Sequence, residues 1–110
     1  MNSAIIVAGG KGSRINNSTP KQYITINGKE ILSYSVTTFL NHPKINEVII
    51  VCNKEWIKHV NEKYNKCKIV AGGKIRKNSV YNGLVSLSDD TQNVLIHDAA
   101  RPFISKKIIS

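Results

Sequence analysis

Cysteine is scarce in this chain of 110 residues, which has only Cys52 and Cys67. Neither stands at metal-ligand spacing from the three histidines, and no secretory leader precedes them, so neither a disulfide framework nor a zinc site is expected. Both read as core thiols, and a reducing cytoplasm is the expected compartment. Long hydrophobic runs are missing too. No apolar stretch approaches the roughly 20 residues that span a bilayer, so no membrane partner is expected. The chain passes almost at once into an apolar strand, so no signal peptide is expected. Aromatic residues make up 6% of the chain, and acidic residues number 7 against 16 lysines and arginines, a formal net charge of +9. That charge admits nucleic acid, a membrane surface or small anions as partners. The lysines are spread along the chain, however, with few aromatics among them, whereas single-strand binders interleave the two. Most of these lysines therefore read as solvated surface, and nucleic acid is not an expected partner.

What is present is concentrated between Ser3 and Gln22, SAIIVAGGKGSRINNSTPKQ. Ala4 to Val7 is short and largely β-branched, and glycines follow at once, as for a buried strand. Gly9, Gly10 and Gly12 permit backbone angles that side chains forbid. The N–H groups of such a turn point into a concavity that seats anions. Lys11, Arg14 and Lys21 surround it with positive charge. The stretch is not a Walker A loop, because Gly12 rather than Ser or Thr follows Lys11. As a dinucleotide fingerprint it lacks the third glycine, since Ile15 stands there, and Pro20 interrupts any prompt helix. An ordinary glycine-rich turn between strand and helix remains open on these residues alone.

Further along, Asn27-Gly28 marks a turn. A helix is expected from about Lys29 to Leu40, with Leu32, Val36, Phe39 and Leu40 on its apolar face. His42-Pro43 ends it. Asn46–Cys52 reads as a second strand and Lys54–Tyr64 as a second helix, burying Trp56 or Ile57, Val60 and Tyr64. Trp56 reads as a core anchor rather than a base-stacking platform. Cys67–Ala71 reads as a third strand, closed by Gly72-Gly73. Asn78 or Ser79 is expected to cap a third helix whose inner face is Val80, Leu84 and Leu87. Gly83 inside that helix implies a close packing or ligand contact. Asn93–His97 reads as a fourth strand, with Asp98 just beyond it, and a last helix is expected to begin at Ile104. There are no repeats and no low-complexity linker.

Strand and helix alternating four times predict one α/β domain, an open and mostly parallel sheet with helices on both faces. Right-handed crossovers and the commonest doubly wound order put strand 1 between strands 2 and 4. The crevice at the carboxyl ends of strands 1 and 4 is then the expected ligand site. The glycine turn and Asp98 land there independently, and Gly72-Gly73 opens on the same edge. Basic groups and N–H donors facing a carboxylate suit a nucleoside triphosphate with Mg²⁺, for which Asp98 is the candidate ligand. Arg14 and Lys21 are placed to offset charge growing on the α-phosphate and the departing pyrophosphate. No Ser/His/Asp or Cys/His set competes. His97 is read as structural, because alternation along the strand turns it to the face opposite Asp98. A helix N-cap for Asp98 and a surface ion pair for Arg101 are the plainer alternatives.

AGGKGSR, PKQY, GGKIRKNSVYNGL and HDAARPF, in this order and spacing, resemble the cytidylyltransferases that make 4-diphosphocytidyl-2-C-methyl-D-erythritol for isoprenoid synthesis. They also resemble the sister ribitol-5-phosphate cytidylyltransferases of wall and capsule synthesis. The resemblance covers essentially the whole chain. It implies a Rossmann-like sheet of nucleotidyltransferase type, here truncated, with residues 1–110 as the N-terminal CTP-binding portion of one domain. It further implies CMP transfer from CTP to a polyol phosphate with Mg²⁺, pyrophosphate release, and a homodimer of the full-length protein. Carried over by position, Arg14 and Lys21 are the catalytic stabilisers. Ala8, Gly9, Gly10, Lys11, Gly12, Ser13, Arg14, Lys21 and Gly72 hold the nucleotide, with Gly73 and Ser79 at the cytosine edge and Arg76 nearby. Asp98 binds the metal, and Asp98, Ala99 and Arg101 lie against the second substrate. Gly9 replaces a second alanine common in the isoprenoid branch and leans towards the ribitol branch. Asp98-Ala-Ala-Arg-Pro and Ser79-Val-Tyr-Asn-Gly-Leu lean the other way. Lys74 stands where an acidic residue is common. Two readings outside the transferase class remain: a non-catalytic nucleotide-binding fragment, and a basic nucleic-acid-binding domain.

Overall fold

A computed structural model, which describes residues 1–8, 14–15 and 19–99, pairs the four apolar stretches side by side. They are β1 (Asn2–Ala8), β2 (Glu47–Cys52), β3 (Lys68–Ala71) and β4 (Asn93–Asp98). Their spatial order is β3-β2-β1-β4, and every neighbouring pair is parallel. Parallel neighbours need crossovers, and the helices α1 (Ile31–Asn41), α2 (Ile57–Lys63) and α3 (Arg76–Val85) supply them. The two central strands carry uninterrupted apolar runs because both their faces are covered. One face presents Ala4, Ile6, Ala8, Val48, Ile50 and Cys52 to Leu32, Val36 and Phe39 of α1 and Val60 of α2. The other presents Ile5, Val7, Ile49 and Val51 to Val80 of α3 and to Leu87 just after it. The open, doubly wound α/β sheet expected from the alternation is the architecture found.

Several local expectations shift. The first helix starts at Ile31, because Thr25–Ile26 and Lys29–Glu30 form a tiny antiparallel hairpin before it. Asn27 and Gly28 both have positive φ, as a two-residue type I′ turn demands. Leu40 lies off the buried stripe and is 40% exposed, whereas Ser35 is fully buried in its place. The second helix opens with a single 3₁₀ turn, Lys54–Trp56, before the α-helix proper. On α3 the expected cap is displaced: Ile75 is the N-cap, which puts Asn78 and Ser79 inside the first turns. Its inner face is Ser79, Val80 and Gly83, with Leu87 just beyond the helix packing on the same cluster, while Leu84 is 40% exposed. The reason is approach distance. A Cβ on Gly83 would stand 2.9 Å from Ile5 Cγ2 and 3.0 Å from Val51 Cγ2, so small residues let α3 lie close on the sheet. Asp98 is the last residue of β4 rather than the first after it. The helix expected from Ile104 lies outside the described residues.

At the amino end of the sheet, Glu47 fastens the crossover from α3 to β4. It accepts hydrogen bonds from Ser3 Oγ at 3.0 Å, Ser88 Oγ at 2.7 Å and Ser88 N–H at 3.3 Å, with Lys68 Nζ at 3.7 Å. Desolvation pushes its carboxyl up, but the Ser88 and Ser3 bonds and the Lys68 charge outweigh this, and the net shift is downward from 4.5. A carboxylate held lower in the folded state contributes stability above its unfolded value, and that stability is lost as pH falls through the folded value. Glu47→Gln is therefore expected to cost about 1 kcal/mol at neutral pH. It should also flatten the loss of stability below about pH 4.5, read by urea titrations at a series of pH values. An unchanged acid limb would assign that loss to other carboxylates.

Candidate nucleotide site at the carboxyl edge

The carboxyl ends of all four strands lie along one edge because the sheet is parallel throughout. Ala8, at the end of β1, is in register with Cys52, and Val7 is in register with Asp98 of β4. The Ala99 N–H donates to the Val7 carbonyl at 3.0 Å, which holds the Asp98-Ala99 step against the point where the glycine turn departs. Asp98 is exposed, and register places it on the α3 face with Val7. His97 takes the other face, its Nε2 3.1 Å from Ser35 Oγ and its ring edge-on to Phe39, as its structural reading expected. Ala99 is almost fully buried.

Two strands away, the double glycine closes β3. The Gly72 N–H donates to the Cys52 carbonyl at 2.7 Å, and the Gly73 N–H to Ser79 Oγ at 3.2 Å. Ser79 is fully buried. A Cβ on Gly73 would fall 2.2 Å from Asn78 Cβ, and one on Gly72 2.8 Å from Ser79 Oγ. Only glycine lets this turn lie against the start of α3. Arg76, the first residue of that helix, is exposed at the same edge. The helix start carries no acidic side chain, so its N–H groups favour an anion.

The remaining candidates divide. Arg14 and Lys21 have a described backbone: Arg14 pairs with Pro20 in a two-residue ladder, and Lys21 opens a 3₁₀ turn to Tyr23. Gly9, Gly10, Lys11, Gly12, Ser13 and Arg101 lie outside the described residues. The structure thus gathers Ala8, Gly72, Gly73, Arg76, Ser79, Asp98 and Ala99 along one edge. Among the described residues no group of three or more His, Cys, Asp or Glu side chains could cage a metal. An exposed carboxylate at a strand end, such as Asp98, fits Mg²⁺, which takes one or two protein carboxylates and fills its shell with phosphate oxygens and water. Cys52 and Cys67 are free and buried, and desolvation pushes both thiols up to about 11, so neither is a nucleophile at neutral pH.

Residue-by-residue reading passed over one cluster. Glu30, 6% exposed, takes Tyr64 OH at 2.7 Å and has His59 Nε2 at 2.6 Å and Lys63 Nζ at 3.7 Å. Above it Tyr23 stacks on Trp56, with centroids 4.1 Å apart, and meets His59 edge-on. Trp56 is a packing anchor, as its sequence context implied. An acid next to an apolar helix start was the signal for Glu30, but its partners come from a helix about thirty residues away.

The model of the 2-C-methyl-D-erythritol 4-phosphate cytidylyltransferase family matches residues 2–110. The chain belongs to that family. It is 48% identical to the 2-C-methyl-D-erythritol 4-phosphate cytidylyltransferase of Clostridium botulinum (strain Okra / Type B1), an alignment covering 98% of this chain and 50% of the relative. The crystal structure of 4-diphosphocytidyl-2C-methyl-D-erythritol synthase from Anaerococcus prevotii DSM 20548 superposes with a TM-score of 0.79 at 34% identity, over 98% of this chain and 47% of that one. The 2-C-methyl-D-erythritol 4-phosphate cytidylyltransferase of Francisella tularensis gives 0.74 at 30% identity, over 99% and 49%. The chain spans about half the length of the cytidylyltransferases it matches. Among the described residues no helix is long and apolar enough to cross a membrane.

Proposed function

We propose that the full-length protein transfers CMP from CTP to 2-C-methyl-D-erythritol 4-phosphate, giving 4-diphosphocytidyl-2-C-methyl-D-erythritol and pyrophosphate. The observation that carries this reading is the Val7–Asp98 register with the Ala99-to-Val7 hydrogen bond. It brings the acidic strand end beside the origin of the glycine turn. A phosphate oxygen of the polyol substrate attacks the α-phosphorus of CTP, the bond from that phosphorus to the bridging oxygen breaks, and pyrophosphate leaves. No protein nucleophile is required, so the protein's work is placement and charge neutralisation. Residues 1–110 supply the CTP-binding portion of one domain. The glycine turn with Lys11 and Ser13 cradles the triphosphate, and Gly72, Gly73, Arg76 and Ser79 border the base. Asp98 holds Mg²⁺, which when bound lowers the charge density on the triphosphate. Ala99 and Arg101 face the second substrate. The same reading has the protein working as a homodimer in the cytoplasm, without nucleic acid.

Pyrophosphate release by the full-length protein tests it, with CTP and Mg²⁺ and either methylerythritol phosphate or ribitol 5-phosphate. Release with the first alone is expected. Release with ribitol 5-phosphate alone moves the protein to the sister branch, and CTP binding without turnover leaves only a nucleotide-binding module. Faster turnover with another nucleoside triphosphate would remove the cytidine assignment.

A further inference from the structure

We propose that Gln22 is a positioning residue, which sets where the Lys21 backbone stands relative to the end of β1; its catalytic meaning rests on the function proposed above. Gln22 is 5% exposed, and its Nε2 donates to the Ala8 carbonyl at 2.6 Å. Ala8 is the last residue of β1, so this bond is made where the sheet gives way to the glycine turn. The donor comes from 14 residues along the chain, on the far side of that turn.

The next residue makes a second attachment. Tyr23 is 5% exposed and stacks on Trp56, with its ring edge meeting His59. Its hydroxyl is buried with no hydrogen-bond partner among the described residues, so packing holds the ring. Lys21, Gln22 and Tyr23 share a single 3₁₀ turn. Two of the three are therefore anchored, one to the end of β1 and one to the turn that leads into α2. The Lys21 backbone, in the same turn, is then held through its two successors. An amide is the suitable side chain for the first anchor. The Ala8 carbonyl needs a donor, and an uncharged one adds no charge beside the triphosphate.

Displacing a catalytic cation by about 1 Å costs on the order of a hundredfold in rate. Gln22→Met, which keeps length and loses the donor, is expected to lower kcat/KM for pyrophosphate release by about that factor in the full-length protein. The double variant with Lys21→Ala should be no slower than Lys21→Ala alone, because Gln22 acts through Lys21. Amide hydrogen exchange supplies a readout that needs no turnover: residues 21–24 should exchange at least about tenfold faster in Gln22→Met, with β2 and β3 unchanged. Gln22→Glu, of equal size, repeats the test if the methionine variant does not fold. Additive losses, exchange that rises evenly across the sheet, or exchange at 21–24 that does not change would each overturn the proposal. Wild-type protein without pyrophosphate release would instead overturn the function, and the exchange experiment would still decide the anchoring.

Discussion

Arg14→Ala is expected to lower kcat/KM for CMP transfer by roughly a thousandfold. The proposed reaction builds negative charge on the α-phosphate and on the departing pyrophosphate, and a preorganised donor there would be worth about 3–4 kcal/mol. Arginine would suit this role better than lysine, because a planar guanidinium can meet two phosphate oxygens at once and its charge persists at any working pH. Arg14→Lys should therefore recover only part of the loss. The fold should not suffer: Arg14 belongs to a two-residue ladder with Thr19–Pro20, outside the four-stranded sheet. Steady-state pyrophosphate release in the full-length protein, with far-ultraviolet circular dichroism as the control, measures both effects. A variant within about threefold of wild type would remove Arg14 from the chemistry, because even a weak transition-state contact costs more than that.

Phe39→Ala should have the largest effect on stability, about 3–5 kcal/mol out of the roughly 5–15 available to a domain. Phe39 is fully buried on the inner face of α1, in the cluster with Ala4, Ile6, Val48 and Ile50. Its ring also meets His97 edge-on at 5.7 Å, and His97 in turn reaches Ser35. Truncation leaves a cavity that a helix docked on a parallel sheet cannot collapse into, because the strands are tied on both sides. The adjacent Leu40 provides the contrast. At 40% exposed, its replacement by alanine should cost under about 1 kcal/mol. Urea denaturation of the two variants compares them directly, and equal midpoints would contradict the assignment of the inner face.

These expectations show where local pattern was enough. Short β-branched runs such as Ile5–Val7 and Val48–Val51 are legible as buried strands because a parallel strand covered on both faces tolerates no polar alternation. Handedness then limits the order in which such strands can pair, and the observed order β3-β2-β1-β4 follows. Gly72 and Gly73 marked the end of the third strand, and there the chain passes so close to Asn78 and Ser79 that a Cβ would clash.

Side-chain partnerships were not legible. Gln22 meeting Ala8, Ser79 receiving the Gly73 N–H, and Glu30 held by His59 and Tyr64 all join residues that no periodicity connects. The inner face of α3 misled for a related reason. Apolar periodicity marks Leu84, yet the helix lies too close to the sheet for a leucine there and buries Ser79 and Gly83 instead.

The order of apolar and turn-forming residues, by itself, determined the α/β architecture, the strand order and the edge on which the glycines and Asp98 must gather. Tertiary structure alone decided how closely α3 approaches, which residue anchors the Lys21 turn, and where Glu30 finds its partners. Periodicity reports which face of an element is buried. Distances between elements are set only when their side chains compete for the same space.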